Sequence, residues 1–346
     1  MGPIAVLERL VTSMHGRNRT LGVAAVATVC ATLVSAQNPA GTLEVIQVRP
    51  GFFMIAGAGG NIAVQTGADG AVVVDTGATE YSADVVATIR SLSSQPIRYI
   101  INTGAADDHI GGNARVAQAG RTIFNVGNAL GAAMTNNGAA SILAHEGVLL
   151  RMSAPTGQVS PFPAEAWPTE TFEAGRKYMY LNDEAIEVFH QPAARSAGDS
   201  IVMFRRSDVV VAGDIYDTTG FPVVDIANGG SINGEIAALN QLVNLAVPSI
   251  PLVWREAGTY VIPGHGFLSD QTDVVEYRDM VTIVRDRVQA MLEGNMTLPQ
   301  VLDARPAQGY EARYAAGAPD ATRAFIESVY ASLSAEMAAR PATQPQ

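Results

Sequence analysis

Cysteine is almost missing from this chain of 346 residues, which carries one, Cys30. That excludes a disulfide framework and a thiolate metal cluster, so stability has to come from a hydrophobic core. Bases are scarce beside acids, 22 against 33, which removes the broad positive surface that nucleic acid or an anionic membrane would need. Histidine is also scarce, with five residues at 15, 109, 145, 190 and 265, so imidazole chemistry has few candidates. Long apolar runs are lacking too. The stretch Leu21–Val34 has about 14 residues, against the roughly 20 that span a bilayer. Internal repeats and low-complexity linkers are not found.

What the N-terminus does have is a basic flank, Arg9, Arg17 and Arg19, ahead of that apolar run and of Ser35-Ala36-Gln37. Basic flank, short apolar core and small residues before a cut after Ala36 read as a secretory signal over 1–36, preferred to a membrane anchor. A start at Met14 would carry the same meaning. The expected mature chain is periplasmic or secreted, with no stable membrane insertion. It has 310 residues (346 − 36) and a charge of −13, from 19 bases and 32 acids once three arginines and Glu8 are removed.

Short β-rich runs separated by Gly-rich turns predict strands at Glu44–Val48, Phe52–Ala56, Asn61–Gln65 and Ala71–Asp75. Helices are predicted near Ala83–Leu92, Asn113–Ala119 and Ile142–Met152, with strands at Ile97–Asn102 and Thr122–Val126 and a loop over Thr103–Gly112. The second half predicts strands at Ala185–His190, Ser200–Phe204, Val209–Ala212 and Thr259–Ile262. Its helices are Ser231–Asn244, the amphipathic Asp273–Leu292 and Ala321–Leu333. Strands alternating with helices in both halves imply two packed sheets with helices outside. One domain is expected over 37–336, with a disordered tail at 337–346.

Four segments share a form, a strand followed by a tight turn rich in Gly, Asp or His. They are Asp75-Thr-Gly77, Asn102–Asn113, Gly213-Asp214 and Pro263-Gly-His-Gly266. Strand-end loops are where an αβ scaffold places reactive groups, and imidazole with carboxylate suits a divalent cation. Each signal alone is weak, because an Asp after a strand is usually a turn or cap residue.

Their order and spacing carry more. With Asn-Ile-Ala-Val from Asn61, Val-Val-Val-Asp-Thr-Gly at 72–77, Asp-His-x-Gly-Gly-Asn at 108–113, Ala-His-Glu at 144–146, Ser-Ala-Gly-Asp-Ser at 196–200, Ala-Gly-Asp at 212–214, Asn-Gly-Gly-Ser at 228–231 and Val-Ile-Pro-Gly-His-Gly at 261–266, the chain resembles the metallo-β-lactamase superfamily. The resemblance runs from about Gly51 to Gly266. It implies an α/β fold, a four-layer αββα sandwich with a metal cleft between the sheets.

The departures matter as much. Where the family's loop reads His-x-His-x-Asp-His, this chain has Gly104, Ala105, Ala106, Asp107, Asp108 and His109, and Arg195 stands where a third histidine is usual. The resemblance therefore implies loss of the first metal site. It implies retention of the second through Asp108, His109, Asp214 and His265 as ligands. One ion is expected, zinc first, with iron or manganese also suited to this donor set. The expected activity is metal-dependent hydrolysis of an ester, thioester, lactone or amide in a small-molecule substrate, with Asp108 also receiving a proton. The alternatives are a non-catalytic or ligand-binding descendant and an iron-dependent redox enzyme. Arg195, the second residue assigned a catalytic role, either replaces the missing cation or pairs with Asp107 or Asp199 for structure alone. Asp75 is read as supporting the metal loop from behind. His145 is read as a structural helix residue and His190 as a strand-end residue. Trp167, Tyr216 and Phe221 are expected in the core more than in a pocket.

Overall fold

Alternating side chains place each strand's apolar residues on two faces, and here both faces are buried. In the central strands, Val72 and Val74 point one way and Ala71 and Val73 the other, all without solvent exposure. Such strands must be covered on both sides, which explains the layers of the computed structural model. It describes residues 43–123, 138–155, 157–249, 258–315, 318 and 320–339.

The first sheet has seven strands in chain order: β1 Glu44–Arg49, β2 Phe52–Ala58, β3 Gly60–Gly67, β4 Gly70–Val74, β5 Ile97–Ile101, β6 Ser141–His145 and β7 Glu170–Phe172. Pairing is antiparallel from β1 to β4 and parallel from β4 to β7. The second sheet runs β12-β11-β10-β9-β8, with β8 Arg176–Leu181, β9 Glu184–Gln191, β10 Asp199–Phe204, β11 Val209–Asp217 and β12 Tyr260–His265. Only β11 and β12 pair in parallel there.

Helices α1 Ser82–Leu92 and α3 Asn113–Ala119 cover the outer face of the first sheet, with Val85, Ile89 and Val116 in its core. Helices α5 Ile232–Leu245, α6 Gln271–Glu293 and α9 Ala321–Ala339 cover the second through Leu239, Val281 and Val329. Between the sheets Phe52 meets Phe204 edge to face at 4.8 Å, within one apolar layer. Each fully buried Val or Phe there contributes about 1.5–3 kcal/mol. The order helix, sheet, sheet, helix is the expected αββα sandwich. The shorter helices are α2 Asp107–Ile110, α4 Glu146–Met152, α7 Leu298–Asp303 and α8 Glu311–Tyr314. Among the described residues no helix is long and apolar enough to cross a membrane.

Several local expectations change. Ile142–His145 is strand β6, not helix, because it adds in parallel to β5 and is buried on both faces; only Glu146–Met152 is helical. Asp107–Ile110 makes a helical turn inside the expected loop. Strands β7 and β8 are not anticipated; β8 is an edge strand whose Tyr178 and Tyr180 face solvent, so its pattern lacks an apolar face. Helix α6 begins two residues early, since the Asp270 side chain caps it with Asp273 in a capping box. Helix α9 runs to Ala339, three residues into the expected tail. Most of the predicted strand Thr122–Val126, the signal segment and the rest of the tail lie outside the described residues.

Candidate metal centre

The reactive residues sit where the strands end. Asp75 follows β4, His109 lies on α2 after β5, Asp214 is in β11 and His265 closes β12. Asp75 adopts a left-handed φ of 60°, a strain of about 1–2 kcal/mol for a non-glycine residue. The turn aims its buried carboxylate back at the β5–α2 loop. There it accepts the Thr103 N–H at 2.9 Å, the Thr103 hydroxyl at 2.6 Å and His109 Nδ1 at 2.7 Å. A carboxylate can only accept in these bonds, so His109 carries a proton on Nδ1, and Nε2 is the nitrogen aimed into the cluster. Burial opposes charge on His109, but the carboxylates of Asp75 and then Asp108 together outweigh it and raise its pKa.

His109 Nε2 faces Asp214 Oδ1 at 2.9 Å. The β11–β12 register breaks at Gly213, whose φ of 55° needs a glycine, and this turns Asp214 toward His265. His265 Nδ1 lies 3.0 Å from the same Asp214 oxygen, and its Nε2 lies 2.9 Å from Asp108 Oδ2. The hydrogen bond from His265 is the largest cause that lowers the Asp108 pKa to about 2, against its partial burial. Close backbone approach makes room for the cluster. A Cβ on Gly60 would stand 2.8 Å from His109 Nε2, and one on Gly264 would stand 2.5 Å from Asp214 Oδ1. Asn61 holds the end of β12 by donating to the Pro263 and Gly266 carbonyls at 3.0 and 3.1 Å.

Three of the four expected ligands, Asp108, His109 and His265, converge as a group that could hold an ion, and Asp214 lies beside them. Donor atoms of Asp108, His109 and His265 lie within 4.8 Å of one another, and Asp214 Oδ1 touches both rings. Two imidazoles and two carboxylates are a zinc-type donor set. With Asp75 holding the Nδ1 proton, a neutral His109 would offer its Nε2 lone pair to an ion.

Arg195 meets the other oxygen of the same carboxylate, through its Nη1 and Asp214 Oδ2. It does not pair with Asp107, which is exposed on the first turn of α2, or with Asp199, whose carboxylate takes the backbone N–H and hydroxyl of Ser196. Gly104, Ala106, Arg195 and Asp199 line a narrow cleft with room for about one water. Burial raises the Asp199 pKa to about 6, against the Ser196 bonds and the Arg195 charge.

Asp75 supports the metal loop as expected. His145 is a strand-end residue that caps α4, not a helix residue. Tyr216 and Phe221 belong to the core beside α6 and α9, and Trp167 packs behind α4 while donating to the Phe162 carbonyl at 3.0 Å. Sequence reasoning missed Thr103, Arg151 and Glu235. Arg151 pairs with Asp225 at 3.0 Å, beside the Arg195 backbone that the Asp225 N–H binds. Glu235 is fully buried with both oxygens unpartnered, and no local motif signals it.

A family model described as the metallo-beta-lactamase superfamily matches residues 56–268. Among solved structures the chain is similar to a metallo-beta-lactamase from Pontibacter korlensis, with 17% identity and a TM-score of 0.51 over 70% of this chain and 99% of that one. It is also similar to the sec-alkylsulfatase Pisa1 from Pseudomonas sp., with 14% identity and a TM-score of 0.59 over 83% of this chain and 50% of that one. The chain thus spans half the length of that sulfatase, and at these identities the likeness is one of fold. A search of curated proteins gave no match.

Proposed function

The chain belongs to the metallo-beta-lactamase superfamily, whose members are metal-dependent hydrolases, and from that premise we propose an exported hydrolase that uses a single divalent ion. Zinc is the first choice. Asp108, His109, Asp214 and His265 would hold it, and the bond cleaved is an ester, thioester, lactone or amide. One observation carries this reading. Asp214 turns Oδ1 to the two histidines and Oδ2 to the Arg195 guanidinium, so a fixed organic cation lies next to the cluster that would hold one ion. Export rests on the basic flank, the apolar run and the Ala36 junction.

A divalent ion here supplies Lewis acidity, lowering the pKa of a water and polarising a scissile carbonyl. The protein's own groups do the rest. Asp75 and Thr103 fix the tautomer and tilt of His109. Asp108, about 40% exposed, is the carboxylate best placed to take a proton from an attacking water. The Arg195 guanidinium would stabilise negative charge as it develops on the carbonyl oxygen.

Metal analysis of the purified protein tests the reading. About one equivalent of zinc is expected, most of it lost in His265→Ala, which removes one nitrogen donor of a four-ligand set. Two tightly held equivalents would overturn the single-ion assignment. A protein that takes up no metal would overturn the hydrolase.

A further inference from the structure

The two described histidines that the candidate site does not use lie against each other. His145 ends β6 in the first sheet and His190 sits near the end of β9 in the second, so the pair bridges the sheets. Their ring centroids are 3.4 Å apart and their planes meet at 8°, closer and flatter than most aromatic pairs.

Each ring has a defined role. His145 Nδ1 accepts the Gly147 N–H at 3.1 Å as the cap of α4, so its proton is on Nε2, which is buried without a hydrogen-bond partner. His190 Nε2 lies 2.8 Å from the Ala197 carbonyl, which can only accept, so this nitrogen donates. Ala197 is two residues from Arg195, and its own N–H is bound to the Asn228 carbonyl at 2.9 Å. The same loop rests on α4, because a Cβ on Gly147 would come within 2.9 Å of Gly198 Cα. The stack, α4 and the Arg195 loop are one packed unit.

A second positive charge on this stack would set two imidazolium rings face to face at 3.4 Å. Like charges at that range repel strongly even in a partly polar interior. Protonated His145 would also lose Nδ1 as an acceptor and with it the α4 cap. Burial first, and then the neighbouring ring, lowers the His145 pKa, while the main chain and carboxylate of Glu173 oppose them. The other surroundings add little charge. Phe172 of β7 meets His145 edge to face at 5.2 Å, Glu146 follows it at the start of α4, and Arg195 and Asp199 on the loop are engaged by Asp214 and Ser196.

We propose that His190 is a positioning residue for the Arg195 loop, tied to it through Ala197 and seated by its stack on His145, and that the tie holds only while the pair carries at most one positive charge. Acid therefore frees the loop before it unfolds the sandwich. The claim does not depend on whether the site turns over a substrate.

NMR of the full-length, metal-depleted protein, titrated from about pH 8 to about pH 4.5 across the histidine range, tests this. The His145 and His190 rings should take up protons in two separated steps, and the Arg195 guanidinium resonances should broaden or shift at the second. That step must coincide with the pair and not with His109 or His265. His190→Phe keeps a ring on His145 but removes the donor and the charge. There the His145 midpoint should rise, and Arg195 should be mobile at every pH with no histidine-linked step. His190→Gln returns a donor without a second charge and should hold Arg195 ordered throughout. Arg195 resonances that ignore the pair's second step, or that are unchanged in His190→Phe, overturn the proposal. Should His190→Phe fail to fold, the wild-type titration decides alone.

Discussion

Replacing Asp199 by asparagine isolates the electrostatics behind Arg195. The wild-type carboxylate is buried at the start of β10, and its pKa rises from 3.8 to about 6. A folded-state pKa above the unfolded value means that protonation favours the fold. The stabilisation is complete below about pH 3.8 and is lost as pH rises through about 6. About two units at about 1.4 kcal/mol each make the loss roughly 3 kcal/mol. Asparagine does not titrate and can keep both Ser196 contacts, its carbonyl accepting the N–H and its amide donating to the hydroxyl. Imperfect replacement of those bonds costs about 1 kcal/mol, independent of pH. Asp199→Asn should therefore be slightly less stable than wild type near pH 4 and more stable by about 2 kcal/mol near pH 7.5, a swing of about 2–3 kcal/mol. Glu235 works in the same sense, since burial and then Asp199 hold its pKa well up. Urea unfolding of both metal-depleted proteins across this range measures the swing. A stability difference that stays flat with pH, or that moves the other way, refutes the reasoning.

Gly60→Ala should leave the protein folded but cut zinc affinity more than tenfold, as measured by chelator competition, because its Cβ would displace the His109 Nε2 atom 2.8 Å away. Arg195→Met should lower turnover about 100-fold with a smaller change in metal content, and Arg195→Lys should recover part of the loss. Equal turnover in Arg195→Met and wild type would reduce Arg195 to a structural ion pair. N-terminal sequencing of periplasmic or secreted protein should begin at or near Gln37, and an intact Met1 or Met14 terminus in the cytoplasm would remove the export assignment.

The layers could be read in the chain because β-runs buried on both faces, such as Ala71–Val74, and the helix-period residues of α6 need no partner information to be recognised. The errors fall where tertiary pairing overrides local pattern. Ile142–His145 has no turn signal before Glu146 and reads as the start of a helix, yet it is held as strand by pairing with β5 and β7. Strand β8 alternates exposed and half-buried residues at an edge, where neither face is continuously apolar. His145 was misplaced for the same reason, and a stack between residues 45 positions apart in different sheets leaves no spacing in the sequence.

The candidate site divides in the same way. Each expected ligand lies in or just after a strand within a motif, so Asp108, His109, Asp214 and His265 could be named from the family resemblance, whereas the packing around Arg195 could not. The sequence shows Gly104, Ala106 and Arg195 in place of three histidines, but only the structure shows that these changes fit together. Arg195 reaches Asp214 because nothing larger stands in the cleft, and a Cβ at Gly104 would already stand 3.2 Å from Asp199 Oδ1. Asp199 in turn is buried beside Arg195 and spends its oxygens on Ser196, so it holds the loop that delivers the guanidinium. A histidine returned at 104 alone would meet that carboxylate, and one returned at 195 alone would leave Asp214 Oδ2 buried without its cation. The three positions therefore depend on one another, since each change alone would leave a buried carboxylate crowded or without its cation.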